Sequence, residues 1–119
     1  MLDESKPLFQ AVAEQIEDGI LDGTYPEDSQ VPSTNELAAF LRINPATAGK
    51  GLGLLVDADV LIKRRGIGMF VAPGAREALR QRRKFAFQDQ YIAPLLREAA
   101  QLGITPEELA GMITKETAR

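Results

Sequence analysis

The chain of 119 residues contains no cysteine and no histidine. The absence of cysteine excludes disulfide bonds and thiolate metal ligands, and the absence of histidine removes the commonest general base and metal-binding side chain. Most hydrolytic and redox mechanisms therefore lose their usual residues. We predict that the chain is not an enzyme and that it uses no cofactor or metal ion.

Long apolar runs and targeting segments are also missing. No run of about 18 or more apolar residues occurs, which a membrane-spanning helix would need, and the start MLDESKPLFQ lacks the basic and apolar regions of a signal peptide. Hydrophobic residues make up 45% of the chain and charged residues 26%, a balance typical of globular proteins. We expect a cytoplasmic protein with no membrane partner, built from one main domain and an appendage.

Positive charge is unevenly distributed along the chain. The formal net charge is -3, whereas phosphate binding normally leaves a basic footprint. Residues 1–41 contain one lysine against nine acidic residues. Residues 42–70 contain two acidic residues against five basic ones, namely Arg42, Lys50, Lys63, Arg64 and Arg65. The middle third is therefore the basic part of the chain.

The first half of the sequence predicts three helices. Apolar residues recur every four positions between residues 8 and 21, which indicates an amphipathic helix that ends before Gly23. Ser33 and Glu36 form a capping box, so a second helix starts at residue 34. Asn44 and Pro45 are the N-cap and first residue of a third helix that runs to about residue 57. The short turn between the second and third helices is typical of a helix-turn-helix.

The third predicted helix contains glycines at alternate positions. Gly49, Gly51 and Gly53 each cost about 1 kcal/mol relative to alanine in a helix. We attribute them to a close approach, either to a DNA backbone or to a packed neighbour. The outward face of this helix is predicted to carry small and polar residues, namely Ala46, Thr47, Lys50 and Gly51.

A β-hairpin is predicted directly after these helices. Residues 60–64 and 69–72 are short strand-like runs, and the residues between them include Gly66 and Gly68, which suit a tight turn. A hairpin in this position is a wing. Pro73 and Gly74 close the unit, so we place a winged helix-turn-helix domain in residues 1–73.

The remaining residues, 74–119, are predicted to form a helical dimerisation region. A long helix spans residues 76–102, with a kink or break at Pro94, and a last helix starts after Thr105. Two such helices cannot bury their apolar stripes within one chain. We expect them to pack against a second copy through Leu79, Phe85, Ile92, Leu95, Leu96, Ala99, Leu102, Leu109, Met112 and Ile113.

Several motifs, in order, resemble the GntR family of bacterial regulators. PLFQAVAEQIEDGILDGTY, VPSTNELAAFLRINPATAGKGLGLL and VLIKRRGIGMFVA resemble the family pattern over residues 7–72, with its P-S-x-R-E-L-A, V-N-P-x-T-V-x-R and R-R-G-x-G-x-F-V segments. The tail, with PLLREAAQLGITPEELAGMI, is similar to the YtrA-type subfamily. That resemblance implies a two-helix dimerisation region and a repressor.

The resemblance also implies which residues contact DNA. Residues at the start of the second helix would meet phosphate, those at the start of the third would enter the major groove, and those of the wing tip would reach the minor groove or flanking phosphates. The implied contact residues are Ser33, Thr34, Asn35, Pro45, Ala46, Thr47, Lys50, Arg64, Arg65 and Gly66.

Three positions depart from the family pattern. Asn35 and Lys50 replace arginines, so the sequence loses a charge at the first position and a planar, two-pronged donor at both. Asp59 replaces a glycine, which is milder because aspartate tolerates a left-handed backbone. Affinity or base preference is therefore expected to differ from that of other members.

The sequence thus predicts a mostly α-helical fold with a small β-hairpin, that is, a winged helix-turn-helix followed by a helical dimerisation tail. We expect it to bind an inverted-repeat operator in double-stranded DNA as a homodimer. A winged-helix module that binds protein and no DNA is the alternative, consistent with the acidic composition. Phe85, Phe87 and Tyr91 are expected to form dimer core, the alternative being a pocket for an unidentified small-molecule effector.

Overall fold

A computed structural model describes Leu2 and residues 4–119, and Met1 and Asp3 lie outside the described residues. The elements are α1 (Leu8–Leu21), α2 (Thr34–Leu41), α3 (Pro45–Asp57), β1 (Leu61–Arg64), β2 (Gly68–Val71), α4 (Ala75–Phe87), α5 (Ala93–Gln101) and α6 (Pro106–Thr117). Helices and one antiparallel hairpin confirm the predicted fold class. The chain forms two compact units, one ending at Gln81 and the other starting at Arg82.

Local caps set the helix starts where the sequence predicts them. Helix α2 begins at Thr34 behind a capping box, and α3 begins at Pro45 behind the N-cap Asn44. Helix α6 begins at Pro106, with Thr105 as its N-cap. Each cap supplies an acceptor to backbone N–H groups that have no partner within the helix.

The core of the first unit lies where α1, α2, α3 and the hairpin meet. Its largest buried side chains are Val12, Ile16, Ile20, Leu52, Leu61, Val71 and Leu79. Gly51 is also buried, against α1. Its expected place on the outward face of α3 is therefore wrong, and the packed neighbour is the reason for the glycine.

Close packing of α1 on α3 depends on the missing side chain of Gly51. A Cβ atom there would lie 2.8 Å from the carbonyl oxygen of Phe9 and 2.8 Å from Cγ1 of Val12. Both distances are too short for a carbon contact, and one of the two atoms belongs to the backbone. The glycine thus sets how near the two helices come.

The hairpin forms with slightly different bounds from those predicted. Leu61 pairs with Val71 and Arg64 pairs with Gly68, so the turn consists of residues 65–67 and Gly68 belongs to β2. Asp59 precedes β1 with a positive φ of 61°. This left-handed conformation agrees with the glycine usual at that position in the family pattern.

Helix α4 begins within the first unit. Ala75 and Leu79 are buried in that unit's core, and Leu79 is 1% exposed. The prediction that Leu79 contributes to a dimer interface is therefore wrong, because its side chain is already covered by its own chain. Its helical spacing indicated a buried face but not which partner covers that face.

The long helix predicted over residues 76–102 is interrupted before Pro94. A π-helical segment, Gln88–Ile92, separates α4 from α5. Pro94 has no N–H to donate to the residue four positions earlier, and at Ala93 the backbone N–H instead donates to Gln88, five positions earlier. The predicted break thus takes the form of a widened turn.

The second unit leaves most of its apolar side chains exposed. Ala99 and Leu109 are buried within it and Ile92 is half-buried, whereas the other predicted interface residues there are exposed, namely Phe85, Leu95, Leu96, Leu102, Met112 and Ile113. In the described part of the chain, every helix is too short or too polar to span a bilayer.

Two glycines of α3 provide a test of the α1–α3 contact. Gly51→Ala and Gly53→Ala gain the same helix propensity, but a Cβ on Gly53 meets nothing within 4 Å. We expect Gly53→Ala to unfold at equal or higher denaturant concentration than the wild type. Gly51→Ala should be less stable than Gly53→Ala by about 1–3 kcal/mol, the usual cost of overpacking. Equal stability of the two variants in urea titrations would contradict the packing described here.

Candidate nucleic-acid interface

The start of α2 presents polar groups to solvent. Ser33 Oγ accepts a hydrogen bond from the Glu36 backbone N–H at 3.1 Å, and Glu36 Oε1 accepts one from the Ser33 N–H at 3.0 Å. The next two backbone N–H groups, those of Thr34 and Asn35, have no acceptor within the helix. Because a helix N-terminus favours anions, these groups suit a phosphate.

Glu36 places a negative charge beside this helix start. The hydrogen bond from the Ser33 backbone, with a further one from its side chain, holds the pKa of Glu36 below its ordinary value. The carboxylate is therefore ionised at neutral pH and works as a cap. Any phosphate at this end of α2 must be held by other groups against that charge.

The start of α3 is exposed and carries small side chains. Asn44 Oδ1 accepts a hydrogen bond from the Ala46 N–H at 2.8 Å. Pro45 and Ala46 are exposed, and Thr47 is half-buried. This end of α3 can approach a surface closely, with the Thr47 hydroxyl as its polar group.

The wing carries the densest positive charge of the first unit. Lys63, Arg64 and Arg65 are exposed, and Gly66 takes a positive φ of 75° in the turn. The Arg64 guanidinium lies 4.4 Å from the centroid of the Phe70 ring, a distance typical of a cation–π contact. Arg64 is thus held along the hairpin, while Arg65 lies in the turn itself.

A segment before α2 supports the wing, and no motif in the sequence indicates this contact. Gln30 Nε2 donates to the Ile67 carbonyl oxygen at 3.0 Å. Backbone bonds of 2.9 Å join Val31 to Met69 and Ser29 to Val71. Residues 28–31 therefore lie beside β2 as a short additional segment of the hairpin and fix the position of its turn.

The start of α2 and the wing face each other across a cleft of about 330 Å³. Five of the ten predicted DNA-contact residues line it, and they are Ser33, Thr34, Asn35, Arg64 and Gly66. Lys63 adds a second cation to Arg64, with Ile67, Gly68 and Met69 completing the lining. The start of α2 and two basic residues of the wing thus line one open cleft that suits a phosphate chain.

The other predicted contact residues lie outside this cleft. Pro45, Ala46 and Thr47 lie at the start of α3, and Arg65 lies in the wing turn. The Lys50 ammonium lies 4.0 Å from the centroid of the Phe9 ring of α1. Sequence reasoning did not single out Phe9 as a partner of Lys50.

A second cleft of similar size is chemically unsuited to nucleic acid. It measures about 340 Å³ and lies along α1, where Glu14, Asp18 and Asp22 contribute to its lining. The hydrogen bond from the Thr24 side chain, and to a smaller extent the one from the Thr24 backbone, lower the pKa of Asp22. Acidic side chains repel phosphate, so the cleft between α2 and the wing is the better candidate.

The described fold and site define a class of protein. Helices α2 and α3 joined by a short turn, followed by a basic hairpin, form a winged helix-turn-helix. The model of the family "Bacterial regulatory proteins, gntR family" matches residues 8–71, more than half of the chain. The chain belongs to the gntR family.

Two curated relatives illustrate the sequence similarity. The HTH-type transcriptional repressor YtrA of Bacillus subtilis is 25% identical over 114 residues, covering 96% of this chain and 87% of YtrA. The histidine utilization repressor of Pseudomonas aeruginosa is 32% identical over 106 residues, covering 88% of this chain but 42% of the relative. The chain thus spans less than half of the histidine utilization repressor. Its similarity to YtrA extends along nearly all of both chains, which supports its assignment to the YtrA type.

Solved structures share the fold. A GntR-family transcriptional regulator from Bacteroides thetaiotaomicron is 31% identical, with a TM-score of 0.74 over 95% of this chain and 98% of that chain. The DNA-binding domain of AraR, solved in complex with operator ORR3, is 29% identical, with a TM-score of 0.54 over 60% of this chain and 95% of that chain. The second structure resembles this chain over about the length of its winged helix-turn-helix.

The capping box at the start of α2 has a testable pH dependence. The lowered pKa of Glu36 means that its ionised form stabilises the folded state above the ordinary pKa of about 4.5, and this contribution is lost as the pH falls through the lower, folded-state value. Glu36→Gln keeps a capping side chain that does not titrate. We expect the stability advantage of the wild type over Glu36→Gln to shrink as the pH falls from 6 to about 3.

Urea unfolding of both proteins across this pH range measures that advantage. Asp22 also has a lowered pKa, but it titrates in both proteins and its effect cancels in the difference. A difference in unfolding free energy that stays constant from pH 6 to about 3 would show that Glu36 does not form the cap described here.

Proposed function

We propose that this chain is a sequence-specific transcriptional repressor that binds an inverted-repeat operator in double-stranded DNA as a homodimer in the cytoplasm. The observation that carries the proposal is the cleft between the α2 start and the wing, where five of the contact residues implied by the GntR resemblance come together. The operator complex of the similar AraR domain supports the same use of the fold. The repressor names of YtrA and the histidine utilization protein support the direction of regulation.

In the proposed interface, one set of residues contacts the DNA phosphates and another set contacts the bases. The N-terminus of α2, Lys50 and the arginines of the wing neutralise phosphates, which supplies affinity for any duplex. The start of α3, with Ala46 and Thr47, enters the major groove and contacts base edges. Positive charge concentrated on the wing, together with the single cation Lys50 on α3, is how a chain with a net charge of -3 would bind DNA.

Dimerisation is proposed to use the exposed apolar side chains of the second unit. Phe85 is 92% exposed, and Leu102 and Met112 are more than half exposed. The Phe87 and Tyr91 rings, with centroids 5.4 Å apart, are also exposed. An apolar surface of this kind marks an interaction site. Two-fold symmetry would place two copies of α3 on successive major grooves, as a palindromic site requires.

Selection from a random double-stranded DNA library at two salt concentrations tests the proposed function. A dimeric repressor should enrich an inverted repeat, and its affinity should fall as the salt concentration rises. If no sequence is enriched at low salt, the chain does not read DNA by itself. The winged-helix module that binds protein would then be the better description.

Two substitutions separate the proposed roles of wing and recognition helix. Arg65→Ala should weaken binding to every duplex and reduce the slope of log affinity against log salt by about 1, because one phosphate contact is lost. Thr47→Ala should leave that slope unchanged and relax the base preference at the positions it faces. Arg119→Ala, which removes a charge outside the proposed site, is the control for Arg65→Ala.

Competition binding with operator and unrelated duplex measures both effects. An unchanged salt slope in Arg65→Ala would exclude a phosphate contact by the wing tip. A selected consensus identical to that of the wild type would exclude base contact by Thr47.

The proposed dimer interface is tested by introducing a charge into α5. Leu96→Glu should raise the dimer dissociation constant at least about tenfold, because an unpaired carboxylate in an apolar interface costs more than about 1.4 kcal/mol. Gln101→Glu, at an exposed polar position of the same helix, adds the same charge and should dimerise like the wild type. Sedimentation equilibrium of the three proteins provides the measurement, and equal constants for Leu96→Glu and wild type would place the interface elsewhere.

A further inference from the structure

Lys50 and Phe9 form a contact between the recognition helix and α1. The Lys50 Nζ atom lies 4.0 Å from the centroid of the Phe9 ring, within the roughly 6 Å over which an ammonium is attracted to an aromatic face. The Phe9 side chain is half-buried, whereas Lys50 is exposed. The ring is thus the less mobile partner, and it limits where the ammonium lies.

The packing of the two helices builds this contact. Gly51 follows Lys50 in the chain, and a Cβ atom on Gly51 would lie 2.8 Å from the Phe9 carbonyl oxygen. The backbone of Phe9 therefore packs directly on α3 at Gly51, the residue after Lys50. A larger residue at position 51 would separate the helices and move the ring away from the ammonium.

The contact restricts what Lys50 can do at a DNA surface. The ammonium is held at the border between α3 and α1, whereas Ala46 and Thr47 lie one turn earlier on α3. Lysine is a point charge without the two-pronged geometry that reads guanine. At this border it can meet a phosphate while the bases are left to the start of α3.

We propose that Phe9 is a positioning residue that holds the Lys50 ammonium for a DNA phosphate and away from the base edges. This inference rests on the proposed function, and it assigns a role in DNA recognition to a residue of α1. An exposed cation–π contact favours the ring-facing position by about two- to fivefold. Removal of the ring should therefore weaken DNA binding by about that factor, through Lys50 alone.

A double-mutant cycle in the full chain tests the coupling. The variants are Phe9→Leu, Lys50→Met and their combination, and the readouts are affinity for the selected repeat, the salt slope and the selected consensus. Lys50→Met should weaken binding to all duplexes by about tenfold, reduce the salt slope by about 0.9 and leave the consensus unchanged. Phe9→Leu should weaken binding only when Lys50 is present.

A conservative variant separates positioning from a merely structural role. Phe9→Tyr keeps the ring and should match the wild type in affinity, slope and consensus. If Phe9→Leu lowers the thermal midpoint, Phe9→Met replaces it in the cycle, since methionine fills a similar volume without a ring. The salt slope and consensus of Lys50→Met do not depend on either variant.

The outcomes distinguish this inference from the proposed function. Additive effects of Phe9→Leu and Lys50→Met, or a consensus altered by Lys50→Met, would overturn the inference while the wild type still selects its repeat. Failure of the wild-type protein to enrich any sequence would overturn the proposed function and this inference with it. A coupled loss of affinity, rescued by Phe9→Tyr, would establish Phe9 as the residue that positions Lys50.

Discussion

The close approach of α1 to α3 at Gly51 fixes the position of α3 within the first unit. At this point the two backbones are so close that a Cβ atom would collide with the Phe9 carbonyl oxygen. Val12 and Leu52 are fully buried in the same core. The distance between α3 and α1 is thereby set, and the N-terminal end of α3 remains exposed. A glycine that weakens the helix by about 1 kcal/mol in isolation is thus tolerated because of the packing it permits.

The distribution of charge reconciles an acidic chain with a nucleic-acid surface. Acidic side chains of α1 line one cleft, while Lys63 and Arg64 line the other, across from the start of α2. Electrostatic attraction to phosphate depends on the local field more than on the net charge, because salt screens charges farther apart than about 10 Å. The two clefts thus carry opposite charge, and the one lined by Lys63 and Arg64 suits phosphate.

Features that depend on neighbouring residues were predictable. The caps at Ser33, Asn44 and Thr105 are confirmed, since a cap is made by residues within a few positions of one another. Periodicity was less informative, because it shows that a face is buried but not what covers it. Leu79 was therefore assigned to a second copy of the chain, although its own core covers it.

The order of helices and hairpin, the helix starts and the family follow from the amino-acid sequence alone, because they depend on short-range chemistry and on motifs in a fixed order. Three contacts become visible only in the folded chain: Gln30 supports the wing turn, Gly51 lets α1 pack closely on α3, and the Lys50 ammonium lies over the Phe9 ring. These pairs are 37 to 42 residues apart in the chain. Their contacts arise from packing, which no local pattern of residues specifies.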